Sequence, residues 1–137
     1  MALPRGIRNN NPLNIVKGCS WKGERNQQSD SKFEEFVSIE YGLRAGFKIL
    51  RNYIGGYTTN GVKFNTLRKV ISRWAPPSEN NTQRYIEFVG SKTGLHPDEA
   101  IQFRDRAKMV SIVHAMAQME CGVDLDTSII ESAYDLV

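Results

Sequence analysis

Apolar residues fall at helical spacing over most of the chain after residue 38 and in short scattered pieces before it. Ser38 is a natural N-cap with Glu40 in the first turn, and Leu43, Phe47, Leu50 and Ile54 share one helical face. Gly55-Gly56 stops that helix. Asn65 or Thr66 caps the next helix, whose face carries Leu67, Val70, Ile71 and Trp74 before Pro76-Pro77 breaks it. A third helix opens at Asn80 or Asn81, buries Tyr85, Phe88 and Val89, and closes at Gly94. Pro97, Asp98 and Glu99 have the composition of a first helical turn, so a helix is expected to open there too. From Arg104 to Glu120 the apolar residues cover more than one stripe, which predicts a central buried helix ended by Gly122. Ile129, Ile130, Ala133 and Tyr134 make a short amphipathic tail.

Residues 1–37 have another texture, rich in Asn, Gly, Ser and charge. Asn9-Asn10-Asn11-Pro12 and Lys17-Gly18 are turn signals. Leu13 to Val16 and Phe33 to Val37 predict two short strands in a small hairpin or irregular sheet, with Glu34 and Glu35 on its solvated side. The fold class expected is α+β, mainly helical, with a small N-terminal β/loop region.

Composition narrows this picture. The chain has 137 residues, 40% hydrophobic and 24% charged, which is one domain's worth of ordinary globular sequence. No apolar run is long enough to span a membrane, and the opening residues do not resemble a signal peptide. A net charge of +3 is too small to argue nucleic-acid binding and also suits an anionic polymer. Cys19 and Cys121 have neither metal-ligand spacing nor the density of a disulfide framework.

Among titratable residues Glu120 stands out. It ends the most apolar helix, where the helix dipole and neighbours such as Met116 and Met119 both disfavour a carboxylate. A carboxyl kept protonated near neutral pH is what a general acid requires; the ordinary alternative is a solvated Glu at a frayed helix end. A glycosidase pairs such an acid with a second carboxylate in a more polar setting. Glu24, Asp30, Glu34, Glu35 and Glu40 are the candidates, with Asp30 set in a polar loop. His96 and His114 make no zinc-binding pair, and a lone Cys121 beside an apolar helix reads as a structural thiol rather than a nucleophile. Arg68, Lys69 and Arg73 form a basic face beside Trp74, which reads as solvated.

Three segments carry a family resemblance. Arg5-Gly6-Ile7-Arg8-Asn9-Asn10-Asn11-Pro12-Leu13-Asn14-Ile15, followed by Trp21-x-Gly23, Asp30, Phe33, Phe36 and Gly42-Leu43-Arg44-Ala45, resembles the RGxRNNNPGNI start of phage and prophage lysozyme-like proteins. Arg73-Trp74-Ala75-Pro76-Pro77-x-Glu79-Asn80-x-Thr82-x-x-Tyr85-Ile86 and the terminal Ala115-Met116-x-x-Met119-Glu120-x-Gly122 are similar to the same group, which the lytic enzyme of the enveloped double-stranded RNA phages also resembles. Leu13 stands where that family usually has Gly, and Cys121 where it usually has Asn. Bacterial glucosaminidase and muramidase domains show similar pieces in another order, with the catalytic Glu helix first. Here that helix comes last, so the resemblance reads as a circular permutation that brings Glu120 beside the Asn9–Ile15 segment.

The resemblance implies a single lysozyme-like domain over residues 1–137 that cleaves the glycan strands of peptidoglycan, by hydrolysis or by lytic transglycosylation. In it Glu120 is the general acid, Asp30 the second carboxylate of a hydrolase, and Asn11, Asn14, Thr82 and Tyr85 shape the cleft or bind sugar. It implies no metal or organic cofactor, no nucleic-acid partner and a monomer. The protein would be made in the bacterial cytoplasm without a signal peptide and act in the periplasm or cell wall, or on a virion. The rivals are a non-enzymatic phage structural or wall-binding protein on the same fold and a small basic nucleic-acid-binding domain.

Overall fold

The computed structural model describes residues 3–137, and six helices account for most of it. They are α1 (Arg5–Arg8), α2 (Ile39–Gly55), α3 (Leu67–Trp74), α4 (Thr82–Thr93), α5 (Arg106–Cys121) and α6 (Thr127–Asp135). The caps follow the local chemistry. Side chains of Ser38, Thr66, Asn81, Asp105 and Asp126 accept from first-turn amides of α2 to α6. Gly56, Gly94 and Gly122 take the left-handed conformation that ends α2, α4 and α5.

Helix α5 is the centre of the molecule, packed against α4, α6 and α1. Met109, Val110, Ile112, Val113, Ala115, Met116 and Ala117 are buried on it, so neighbours surround it on several sides. Helix α2 packs on α6, and Phe47 meets Tyr134 edge-on at 5.4 Å while Tyr134 stacks on Phe103 at 5.2 Å. One cluster of buried apolar residues runs from Leu13 to Ala133.

The N-terminal region differs from its expected hairpin. Among the described residues it holds isolated antiparallel bridges, Val16 to Phe33 and Glu24 to Phe36, instead of strands. Side chains replace the missing ladder. The amide of buried Asn11 donates to the carbonyls of Ile15 and Glu34, and its oxygen accepts from the Ile15 N–H. Glu34 and Glu35, expected on a solvated face, are both buried. The Glu35 carboxylate accepts from the main-chain N–H groups of Ser29 and Asp30 and pairs with Arg25, so it is used up in folding the loop.

One further expectation fails, and one helix was not expected. Residues 97–99 form a turn, not a helix: the Pro97 carbonyl accepts from Arg68 N–H, and Ala100 bridges to Thr66. Those partners belong to the start of α3, distant in sequence, so the segment's main chain is paired there instead of within a helix. Helix α1 was not foreshadowed, because four residues carry no periodic signal.

Two close approaches seat the loop on the helices. Asn10 has a φ of 51°, and its carbonyl lies so close to Gly42 that a Cβ there would stand 1.9 Å away. Leu13 is fully buried, with its Cδ1 in the space left by Gly46.

Candidate active site

The last turn of α5 brings Glu120 to the place where the N-terminal loop, α3 and α4 meet. Its carboxyl has three donors. Tyr85 Oη donates to Oε2 at 3.0 Å, Trp74 Nε1 to the same oxygen at 3.3 Å, and Asn14 Nδ2 to Oε1 at 3.3 Å. Asn14 Nδ2 also donates to the Glu120 main-chain oxygen at 3.1 Å, one of the carbonyls a helix end leaves open. Asn14 reaches it from a left-handed backbone with φ of 54°, a conformation Asn tolerates better than most residues. Gly6 gives the room: a Cβ there would lie 3.1 Å from Asn14 Oδ1 and 3.2 Å from Cys121 Cβ.

Glu120 is half-buried. Burial raises its pKa above the ordinary carboxyl value, and the bonds from Tyr85, Asn14 and Trp74 pull the other way without cancelling it. Tyr85 is pushed well above the ordinary phenol value by burial and by the neighbouring carboxylate, so it stays a neutral donor. The group is a carboxyl whose protonated form is favoured by burial and whose orientation is fixed by three donors.

Asn14 and Trp74 also line a groove of about 520 Å³. Its other walls include Lys17, Trp21, Tyr53 and Arg73, and no carboxylate lines it. The Arg73 guanidinium lies over the Tyr53 and Phe64 rings at 5.6 and 5.4 Å. Trp74, on the apolar face of α3, is only partly buried and is part of the groove wall.

The other residues singled out in the sequence have different occupations. Asp30 is held by five bonds, from Arg5 Nε and Nη2, Asn9 Nδ2 and the Lys32 and Phe33 N–H groups. These hold its carboxyl far below the usual range, with the Arg5 bond the largest cause. None of its donors contacts Glu120 or lines the groove. Asn11 is fully buried with both amide atoms bonded to main chain, so it has nothing left for a ligand. Buried Thr82 donates to the Ala75 carbonyl, fixing α4 on the end of α3. Of the residues expected in the site, Glu120, Asn14 and Tyr85 come together, while Asp30, Asn11 and Thr82 support the scaffold. Trp74 reads in the sequence only as part of an apolar helix face, since spacing carries no sign of an indole N–H meeting a carboxyl.

Glu34 is the second unusual acid. Burial and then the neighbouring Glu24 carboxylate push it up to about 7, and its Oε2 has no partner among the described residues. Cys19 is exposed and Cys121 half-buried, and both are free thiols. Burial raises the Cys121 pKa, which is the opposite of an activated nucleophile. Arg68 of the basic face pairs with Asp98. Among the described residues no three His, Cys, Asp or Glu side chains are grouped to hold a metal ion, and no helix is long and apolar enough to cross a membrane.

No protein-family model matches the chain. The chain is 40% identical over 122 residues to Protein P5 of Pseudoalteromonas phage PM2, an alignment covering 86% of this chain and 71% of that protein. Identity at that level over most of both proteins places this chain in the family of phage PM2 Protein P5.

Proposed function

We propose that the protein cleaves the glycan strands of bacterial peptidoglycan, on a circularly permuted lysozyme-like domain, with Glu120 as the general acid. The observation that carries this reading is the Glu120 cluster: one carboxyl with a raised pKa, fixed by Asn14, Trp74 and Tyr85, beside a groove walled by aromatic and basic side chains. A protonated Glu120 delivers its proton to the glycosidic oxygen as the bond to the sugar carbon breaks. Asn14 and Tyr85 orient the carboxyl, and the groove aromatics offer flat faces for sugar rings. The phage origin of the relative fits a protein that has to open a bacterial wall.

The reading assigns Asp30 a scaffold role, since its carboxylate is consumed by Arg5 and the loop. Glu120 reaches the groove through Asn14 and Trp74, which bond its carboxyl and line the wall, whereas Asp30 is tied to Arg5 and its own loop, so the favoured route is the one that needs a single protein acid. There the Glu120 carboxylate, having given its proton to the leaving oxygen, takes the proton of a substrate hydroxyl as that oxygen closes onto the sugar carbon, and an anhydro-muramyl end forms. Mass analysis of products from purified peptidoglycan tests this. Anhydro-muramyl ends, with activity retained in Asp30→Asn, are the expected result. Reducing ends, with activity abolished in a folded Asp30→Asn, would restore Asp30 as the second carboxylate of a hydrolase. Intact walls under every condition would leave the domain a wall-binding or structural protein.

A further inference from the structure

The last two turns of α2 separate two concavities. Ile49, Asn52 and Tyr53 face the groove of the candidate active site, while Arg51, Ile54 and Gly55 face a second cavity of about 360 Å³. This is the i, i+3, i+4 pattern of two neighbouring helix faces. The second cavity is lined by three cations from three parts of the chain, Arg51, Lys63 and Arg104, and by no carboxylate. Among the described residues none of the three is in an ion pair. Asp105, next in sequence to Arg104, is spent on capping α5 and on Lys108.

The aromatic wall of this cavity is built as well. Tyr57 is 74% exposed, yet its ring lies on the Gly55 backbone, where a Cβ would stand 2.5 Å from Cε2. Gln102 orients one cation, its Oε1 accepting from Arg104 Nε at 2.7 Å and leaving the rest of the guanidinium open. Three cations lining one concavity without a carboxylate leave it electropositive, which favours an anion there. A phosphate monoester carries close to two charges and several acceptor oxygens, and arginine forks match that geometry. A single carboxylate would leave one or two of the cations unanswered.

We propose that Arg51, Lys63 and Arg104 form a binding site for a phosphate monoester whose carrier, a sugar or comparable ring, lies against Tyr57. The site is separate from the Glu120 cluster and does not depend on the reading of that cluster. The same chemistry is offered by a free sugar phosphate and by a phosphorylated headgroup on a lipid surface.

The test is a nuclear magnetic resonance titration of the full chain with inorganic phosphate, glucosamine 1-phosphate and glucosamine, with flotation on phosphatidic acid and phosphatidylcholine vesicles. Glucosamine 1-phosphate is expected to shift the amides around Arg51, Tyr57, Lys63 and Arg104, more tightly than phosphate alone, while glucosamine shifts none. Arg51→Gln and Arg104→Gln should each weaken binding about tenfold, the worth of one charge-assisted contact. Lys63→Gln, in a loop outside the helices, serves if either arginine variant misfolds. Tyr57→Ala should bring the sugar phosphate down to the affinity of phosphate. Saturable binding of the soluble phosphate points to a free ligand. Flotation with phosphatidic acid alone, lost in the same variants, points to a lipid source. Shifts spread equally over Arg68, Lys69 and Arg84, or binding unchanged in the variants, would overturn the site, as would no binding in either arm.

Discussion

Asn14 and Glu120 stand 106 residues apart in sequence, and the Asn14 amide nitrogen donates to both the main-chain and the carboxyl oxygen of Glu120. One side chain therefore closes the end of the core helix and orients the acid. Asn14→Gly keeps the left-handed backbone but removes both bonds, whereas Asn14→Ala also adds strain at φ 54°. Urea unfolding should rank wild type above Asn14→Gly, and Asn14→Gly above Asn14→Ala by about 1 kcal/mol. Equal stability of the two variants would show that the backbone at 14 relaxes.

Tyr85→Phe removes a donor that favours the ionised carboxyl, so the Glu120 pKa should rise further. In the proposed mechanism activity requires the protonated acid and falls as pH rises through that pKa. The alkaline fall in wall cleavage should then move to higher pH in Tyr85→Phe, with stability lowered by about 1 kcal/mol. An unmoved pH profile in a folded variant would separate Tyr85 from the acid.

Glu34 gives a pH dependence of stability that is independent of catalysis. Its folded pKa is raised from 4.5 to about 7, so the folded state binds more protons than the unfolded chain between those values. Stability from this group is full below the unfolded value and is lost as pH rises through about 7. Glu34→Gln should flatten the decline in urea midpoint over that window, and an unchanged slope would mean that the pair with Glu24 does not titrate there.

Gly42→Ala sets a Cβ against the Asn10 carbonyl, main chain that cannot swing away. It should cost about 1–3 kcal/mol or more and loosen the loop that carries Asn14. Gly90→Ala is the control. It lies inside α4 with its nearest neighbour, the Leu95 carbonyl, at 3.4 Å, and should be neutral or stabilising by up to about 1 kcal/mol. Thermal unfolding of the two variants checks both expectations.

The helical part of the fold was legible because its signals are local. Ser38, Thr66 and Asn81 cap, Gly56, Gly94 and Gly122 terminate, and the apolar spacing lies between them. Glu120 was legible for a related reason, as one carboxyl at the end of a helix apolar on most of its surface. What escaped depends on partners distant in sequence. Pro97 to Glu99 carries a helix-start composition but is claimed by Arg68 and Thr66. Glu35 reads as a surface acid, yet folds inward because Ser29 and Asp30 present main-chain donors to it. Asp30 was a candidate second acid through its polar loop and its place in the resembling segment, and neither announced that Arg5 would occupy it.

The central claim is that Glu120 supplies the proton for glycan cleavage, and Glu120→Gln tests it most directly. The variant keeps the shape and one acceptor oxygen while removing the acid, and its amide nitrogen stands where the carboxyl accepted from a donor. Its stability should stay within about 1 kcal/mol of wild type near neutral pH, because relief of the burial penalty on the carboxylate offsets the acceptor that is lost. The initial rate of turbidity loss in purified peptidoglycan, compared at equal concentrations of folded protein, should drop by a factor of about 10²–10⁴. A rate near that of wild type would contradict the account and remove Glu120 from the chemistry.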